Sequence, residues 1–116
     1  MSSYARQMDS DVTPDQVAEL WEAGTIQLID VRQGYEFEAG RIRGARHLEL
    51  AELAAQAASI ERDRPVVFYC RSGARSGMAS EAFSQAGFDA HNMVGGLLAW
   101  EAVGLPLEPG DGYVSD

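Results

Sequence analysis

The stretch Val66-Val67-Phe68-Tyr69-Cys70-Arg71-Ser72-Gly73-Ala74-Arg75-Ser76-Gly77 decides how this chain is read. It opens with four consecutive apolar or aromatic residues, two of them β-branched. Continuous rather than alternating apolarity marks a strand covered on both faces, as in a parallel sheet. A short polar loop follows, then a helical pattern from about Arg75 to Ala86 that Gly87 closes. In open parallel sheets, ligands bind beyond the carboxyl ends of the strands. Cys70 stands at such an end.

Working outward, the same alternation repeats. Thr13-Pro14 starts a helix, because threonine caps it and proline at the first helical position lacks an N–H that would be orphaned anyway. Val17, Leu20 and Trp21 continue at helical spacing, and Gly24 stops it. Thr25–Val31 reads as a strand, Tyr35–Ala39 as a short helix closed by Gly40, and Ala45–Leu48 as a short strand. The alanine-rich Leu50–Ala58 predicts a helix ended by Arg64-Pro65. Phe88–Val94 predicts a strand, Gly95-Gly96 a tight turn, and Leu97–Val103 a last helix ended by Gly104-Leu105-Pro106. The tail from Leu107 to Asp116 contains glycine, proline and acids, which predicts mobility. The acidic run around Asp9 and Asp11 reads as solvated surface. Repeated strand-then-helix units give an α/β fold with a mostly parallel sheet and helices on both faces.

The 116 residues suit a single domain, with its core at about residues 12–107. With 46% hydrophobic residues, the chain is too apolar for disorder, yet no window approaches the ~20 apolar residues of a membrane span. No apolar run follows the arginine of the amino terminus, so the expected location is the cytoplasm. Nine basic residues, all arginine, stand against 18 acidic ones; a net charge of −9 disfavours nucleic acid as a partner. One cysteine excludes an internal disulfide and a multi-cysteine metal site. His47 and His91 are too few for zinc and read as structural, and no cofactor is indicated.

The loop concentrates what chemistry remains. A helix amino terminus favours thiolate over thiol, successive N–H groups of a tight loop form a nest for an anion, and Arg71 and Arg75 add full charges. A cysteine of pKa ~8.5 is mostly thiol at neutral pH; making the thiolate dominant by lowering it two units takes about 2.7 kcal/mol. A helix terminus supplies up to ~2 kcal/mol of that. Loop amides or arginines then supply the rest, without a histidine base. Against this stands the common role of a free cysteine as a small buried hydrophobe. Cations at a helix start oppose the dipole, however, which argues for an anion between them.

Cys70-x4-Arg75, directly after Val66–Tyr69, resembles the active-site loop of the rhodanese family of sulfurtransferases. Asp30-Val31-Arg32, Glu36 and Gly40–Ala45 resemble the family's early signature. Asn92–Gly96 with Trp100 and Gly104-Leu105-Pro106 resembles its late one. Arg41 and Arg43 depart from the histidine and proline usual there, and so bear on a surface near the pocket or a partner's docking. The resemblance implies a three-layer α/β/α domain with a five-stranded sheet. It also implies transfer of sulfane sulfur from thiosulfate through a Cys70 persulfide to cyanide, a small thiol or a protein thiol. The amides from Arg71 through Ser72, Gly73, Ala74 and Arg75 to Ser76 would surround the persulfide. Arg71 and Arg75 would assist anion binding, although Arg75 has a second role open to it, tying the loop to acidic groups. With no second cysteine, the acceptor must come from outside.

Asp30 and Arg32 leave the second predicted strand, and either line the mouth of the site or form a structural ion pair with Glu36 or another neighbour. Two other functions compete. One is a non-enzymatic module of the same fold that binds a partner or delivers sulfur to it. The other is a cysteine phosphatase of that fold, disfavoured because such loops resemble Cys-x5-Arg, one residue longer than this one.

Overall fold

A computed structural model describes residues 8–116. The stretch before them, read above for a leader, lies outside the described residues. Five strands form one sheet: β1 (Asp11–Val12), β2 (Gln27–Asp30), β3 (Arg46–His47), β4 (Val66–Tyr69) and β5 (Ala90–Met93). Four helices connect them: α1 (Pro14–Glu22), α2 (Gly34–Ala39), α3 (Ala74–Gln85) and α4 (Gly96–Ala102). The strand order is β1-β5-β4-β2-β3 and every pairing is parallel, so the α/β reading holds and the sheet is wholly rather than mostly parallel. Among the described residues, no helix is long and apolar enough to cross a membrane.

The four residues of β4 are all fully buried at the middle of this sheet. Their side chains divide between two cores. Val66, Phe68 and then Cys70 join Ile29, Val31, Ala79 and Phe83, on the side that α3 covers. Val67 and Tyr69 join Val17, Leu28, Met93, Leu97 and Trp100, on the side of α1 and α4. That division is why the apolar run does not alternate: both faces of the strand are interior. Burial of each large side chain contributes roughly 1.5–3 kcal/mol.

Thr13 caps α1 as its sequence predicts. Its Oγ1 accepts from the Gln16 N–H at 3.2 Å while Gln16 Oε1 accepts from the Thr13 N–H at 2.8 Å, a reciprocal box. Three expectations are corrected. The segment 50–58 is not a helix but two 3-10 turns, Leu50–Glu52 and Ala57–Ser59. Leu50, Leu53 and Ala57 pack on the core at the i, i+3, i+7 spacing of a helix, so the sequence pattern alone does not separate one helix from two tight turns. The fifth strand is β1, in the acidic amino-terminal stretch read as solvated surface; Val12 is buried and pairs with Met93. The tail is not loose. Glu108 and Arg41 exchange two backbone hydrogen bonds of 2.8 and 3.0 Å, the Tyr113 N–H donates to Ala39 at 3.0 Å, and Val114 packs on the core. Its polar composition resembles a free terminus, but it carries enough backbone partners and one apolar anchor to dock.

Candidate active site

Cys70 follows β4 at the carboxyl edge of the sheet, and Gly73 begins α3 with a left-handed φ of 104°. That conformation, at little cost only to glycine, turns the chain so that the loop's donors close on the sulfur. The Gly73 N–H donates to Cys70 Sγ at 3.1 Å, and the Ser76 N–H and Oγ each approach it to 3.4 Å. Cys70 is only 1% exposed, and burial by itself pushes its thiol up. The Ser76 hydroxyl and the N–H groups of Ser76, Gly73 and Ser72 outweigh that burial, so the net direction is down. No histidine is among the groups that act on this thiol.

The loop is fixed from behind by the turn at Gly95-Gly96. The Leu97 and Leu98 N–H groups at the start of α4 donate to the carbonyls of Cys70 and Arg71 at 2.9 and 3.1 Å. A Cβ on Gly96 would lie 2.6 Å from Cys70 O, so this approach requires glycine.

The two loop arginines both have carboxylate partners. Arg75 is held by Glu36. Its Nη1 and Nη2 donate to the two carboxylate oxygens of Glu36 at 2.8 and 3.0 Å, tying α3 to α2. Of its two open roles, Arg75 takes the tying one here. The hydrogen bonds from Arg75 chiefly hold Glu36 below the usual carboxylate range, against the opposing effect of its burial. Arg71 Nη2 donates to Asp116 of the tail at 2.9 Å, while its buried Nε has no hydrogen-bond partner among the described residues.

Asp30 and Arg32 do not line the mouth, which corrects that reading. Both are 0% exposed and pair with each other, Arg32 Nη2 reaching Asp30 Oδ2 at 2.6 Å and the Gly40 carbonyl at 2.7 Å. This is the structural ion pair, made with each other rather than with Glu36. Truncating either would strand a buried charge, at a cost of about 3–5 kcal/mol.

His47 Nε2 donates to the Arg32 carbonyl at 2.7 Å, and the ring stacks on Phe37, 4.5 Å between centroids. His91 does form an acid pair, with Asp89 two residues before it at 2.7 Å, but at the amino end of β5, away from the loop. Arg41 lies over the Phe37 ring and bridges to the tail; Arg43 lends its carbonyl to Trp21 Nε1. Among the described residues, no three His, Cys, Asp or Glu side chains gather as a metal site.

A family model described as the rhodanese-like domain matches residues 13–103. The chain belongs to the rhodanese-like family. It is 36% identical over 93 residues to the thiosulfate sulfurtransferase GlpE of Pseudomonas aeruginosa, covering 79% of this chain and 84% of that one. It is 41% identical over 92 residues to an HTH-type transcriptional regulator of Mycobacterium tuberculosis, covering 77% of this chain but spanning only 40% of the regulator's length. The rhodanese-related protein of Thermoplasma volcanium superposes with a TM-score of 0.79 at 26% identity, over 85% of this chain and 97% of that one.

Sequence reasoning placed Glu36 and Asn92 in the two signatures but gave neither a role beside Cys70. Glu36 was visible as an acid three residues into a short helix, but its partner lies 39 residues away. Asn92, one of three polar residues in the predicted strand Phe88–Val94, meets Ser76 only once β5 and α3 are packed together.

Proposed function

We propose that this rhodanese-like domain is a sulfurtransferase that carries sulfane sulfur on Cys70. The observation that carries the reading is the convergence of Gly73 N–H, Ser76 N–H and Ser76 Oγ on one sulfur, since the same groups stabilise a thiolate and a persulfide anion. In the first half-reaction the Cys70 thiolate attacks the outer sulfur of thiosulfate. A new S–S bond forms, the old one breaks, and sulfite departs with its electron pair. In the second, cyanide or an acceptor thiolate attacks the outer sulfur of the persulfide, and Cys70 leaves again as thiolate. Ser72, Gly73, Ala74, Arg75 and Ser76 supply the backbone cradle, and Arg71 the charge nearest an incoming anion. Arg75 acts on the cradle's shape through Glu36 rather than on the donor.

The activity for which the Pseudomonas relative is named supports thiosulfate as donor. The phosphatase reading is weakened by Arg75, because a phosphate-cradling arginine must face the anion and this one is occupied by Glu36. A second reading, delivery of sulfur to a protein, draws on the regulator relative, in which a similar unit is part of a longer chain. Intact-protein mass spectrometry after brief exposure to thiosulfate tests the proposal. One added sulfur is expected in the wild type, removable by a small thiol, and none in Cys70→Ser. Equal sulfur uptake by the variant would overturn it. Rates with a small thiol and with a protein thiol then separate turnover from delivery.

A further inference from the structure

Behind the sulfur, Ser76 is itself paired with Asn92, a contact to which the sulfur-transfer steps assign no role. Ser76 is 0% exposed, and its Oγ sits 3.4 Å from Cys70 Sγ and 2.6 Å from Asn92 Oδ1. A serine hydroxyl has one proton, so it serves one of these acceptors at a time. At 2.6 Å the amide oxygen holds it, and the serine lone pair then faces the sulfur. That arrangement suits a thiol, whose S–H can donate to Oγ. It does not suit a thiolate or persulfide anion, which needs the serine proton for itself.

Asn92 can supply both arrangements by turning its amide over. With Nδ2 toward Ser76, it donates to Oγ and releases the hydroxyl proton to the sulfur. Little holds it in the present orientation: among the described residues Nδ2 has no hydrogen-bond partner, and the side chain borders Gly77, where a Cβ would come within 3.5 Å of Nδ2. Glycine at that position of α3 leaves the amide room. No proton moves along the chain of groups. The thiol proton goes to solvent, serine keeps its own, and only hydrogen bonds exchange partners.

We propose that Asn92 is a positioning residue whose amide reverses with the charge state of Cys70, accepting from Ser76 beside the thiol and donating to it beside the thiolate or persulfide. The inference rests on the reading of Cys70 as the reactive sulfur, but its test does not require sulfur transfer. Because Cys70 is the single cysteine, its alkylation by iodoacetamide as a function of pH reports its ionisation alone. Asn92→Asp, whose carboxylate only accepts, should hold the serine proton away from the sulfur. It should move the alkylation midpoint up by about one pH unit, a tenfold loss of thiolate at pH values below the midpoint. Ser76→Ala should move it up as well. In the Ser76→Ala background, Asn92→Asp should add less than half of its shift in the wild type. Full additivity would mean that the new carboxylate acts only through space, and would overturn the relay; so would no shift in Asn92→Asp. The unmodified protein gives a check independent of folding in the variants. The Asn92 side-chain amide resonances should titrate with the Cys70 midpoint in wild type, and a flat response there also overturns the proposal. Sulfur uptake from thiosulfate is scored separately. Its absence counts against sulfur transfer while the alkylation cycle still decides the relay.

Discussion

At the residue scale, the active loop depends on one buried carboxylate. Glu36 is 2% exposed, accepts two hydrogen bonds from Arg75, and also accepts from the Gln33 N–H at 3.1 Å. With the Arg75 hydrogen bonds as the main cause, its carboxyl is held below the ordinary range, so the folded state binds the proton less readily than the unfolded one. Such a group contributes stability above its unfolded pKa, and that contribution is lost as pH falls through the folded value. Acidification from neutral pH should therefore erode the stability of the wild type more steeply than that of Glu36→Gln, although the variant is the less stable at neutral pH. Denaturant midpoints at neutral pH and below the ordinary carboxylate pKa of about 4.3 measure this, and parallel losses in the two proteins would exclude Glu36 as the responsible group. The place of Cys70 at a strand end was legible from sequence because an apolar strand, a polar loop and a helix start are contiguous. Glu36 and Asn92 were not, since each acquires its meaning from a partner on another element, Arg75 and Ser76 respectively.

At the scale of elements, the cradle is held by the contact of two helix starts. The turn before α4 presses on the backbone of Cys70 and Arg71, and Gly96 has a φ of 62° with no room for a Cβ against either carbonyl. Gly96→Ala thus combines left-handed strain of about 1–3 kcal/mol with an overpacking cost of about 1–3 kcal/mol. Gly104→Ala provides the control, for its φ is 87° but nothing lies within 4 Å of the added carbon. It should cost only the strain. Thermal midpoints should fall clearly further in Gly96→Ala, and its Cys70 alkylation rate should change as well because the loop shifts. Equal midpoints would show that the contact yields easily. The double glycine was visible in the sequence as a turn, yet its second function, admitting another backbone, has no sequence pattern of its own. The same limit explains the segment 50–58. Alanine content predicts a helix, and Leu50, Leu53 and Ala57 keep helical spacing, yet the segment folds as two 3-10 turns. Strand β4 was legible because its run of apolar residues records burial on both faces; β2 and β5 carry two polar residues in four and were legible from apolar neighbours on either side. β1, with two residues, is too short to leave such a record.

At the scale of the molecule, charge and chain path meet at the mouth of the loop. The protein carries −9 overall, so a dianionic donor approaches against the global field. In the proposed function Arg71 is the local attraction, and the folded-back tail sets Asp116 against it at 2.9 Å, with Tyr35 Oη donating to the Asp116 carbonyl at 3.1 Å. Gly40 makes this path possible, since a Cβ there would strike the backbone of Tyr113. The Asp116 carboxylate is almost fully exposed, so its pairing with Arg71 is readily exchanged and salt-sensitive. A donor anion competes for the same guanidinium, whose Nε is still unpartnered among the described residues. Asp116→Asn should therefore lower the thiosulfate concentration needed for half-maximal sulfur loading of Cys70 by a few-fold at low ionic strength. The advantage should shrink as added salt screens the charges. Loading curves for the two proteins at about 0.01 M salt, where screening sets in near 30 Å, and at about 1 M, where it sets in near 3 Å, measure it. Coincident curves at low salt would mean that Arg71 does not meet the donor. A shift that persists unchanged at high salt would mean that the substitution acts through the tail's docking. The charge account would then fail, while the docking contacts through Glu108 and Tyr113 remained.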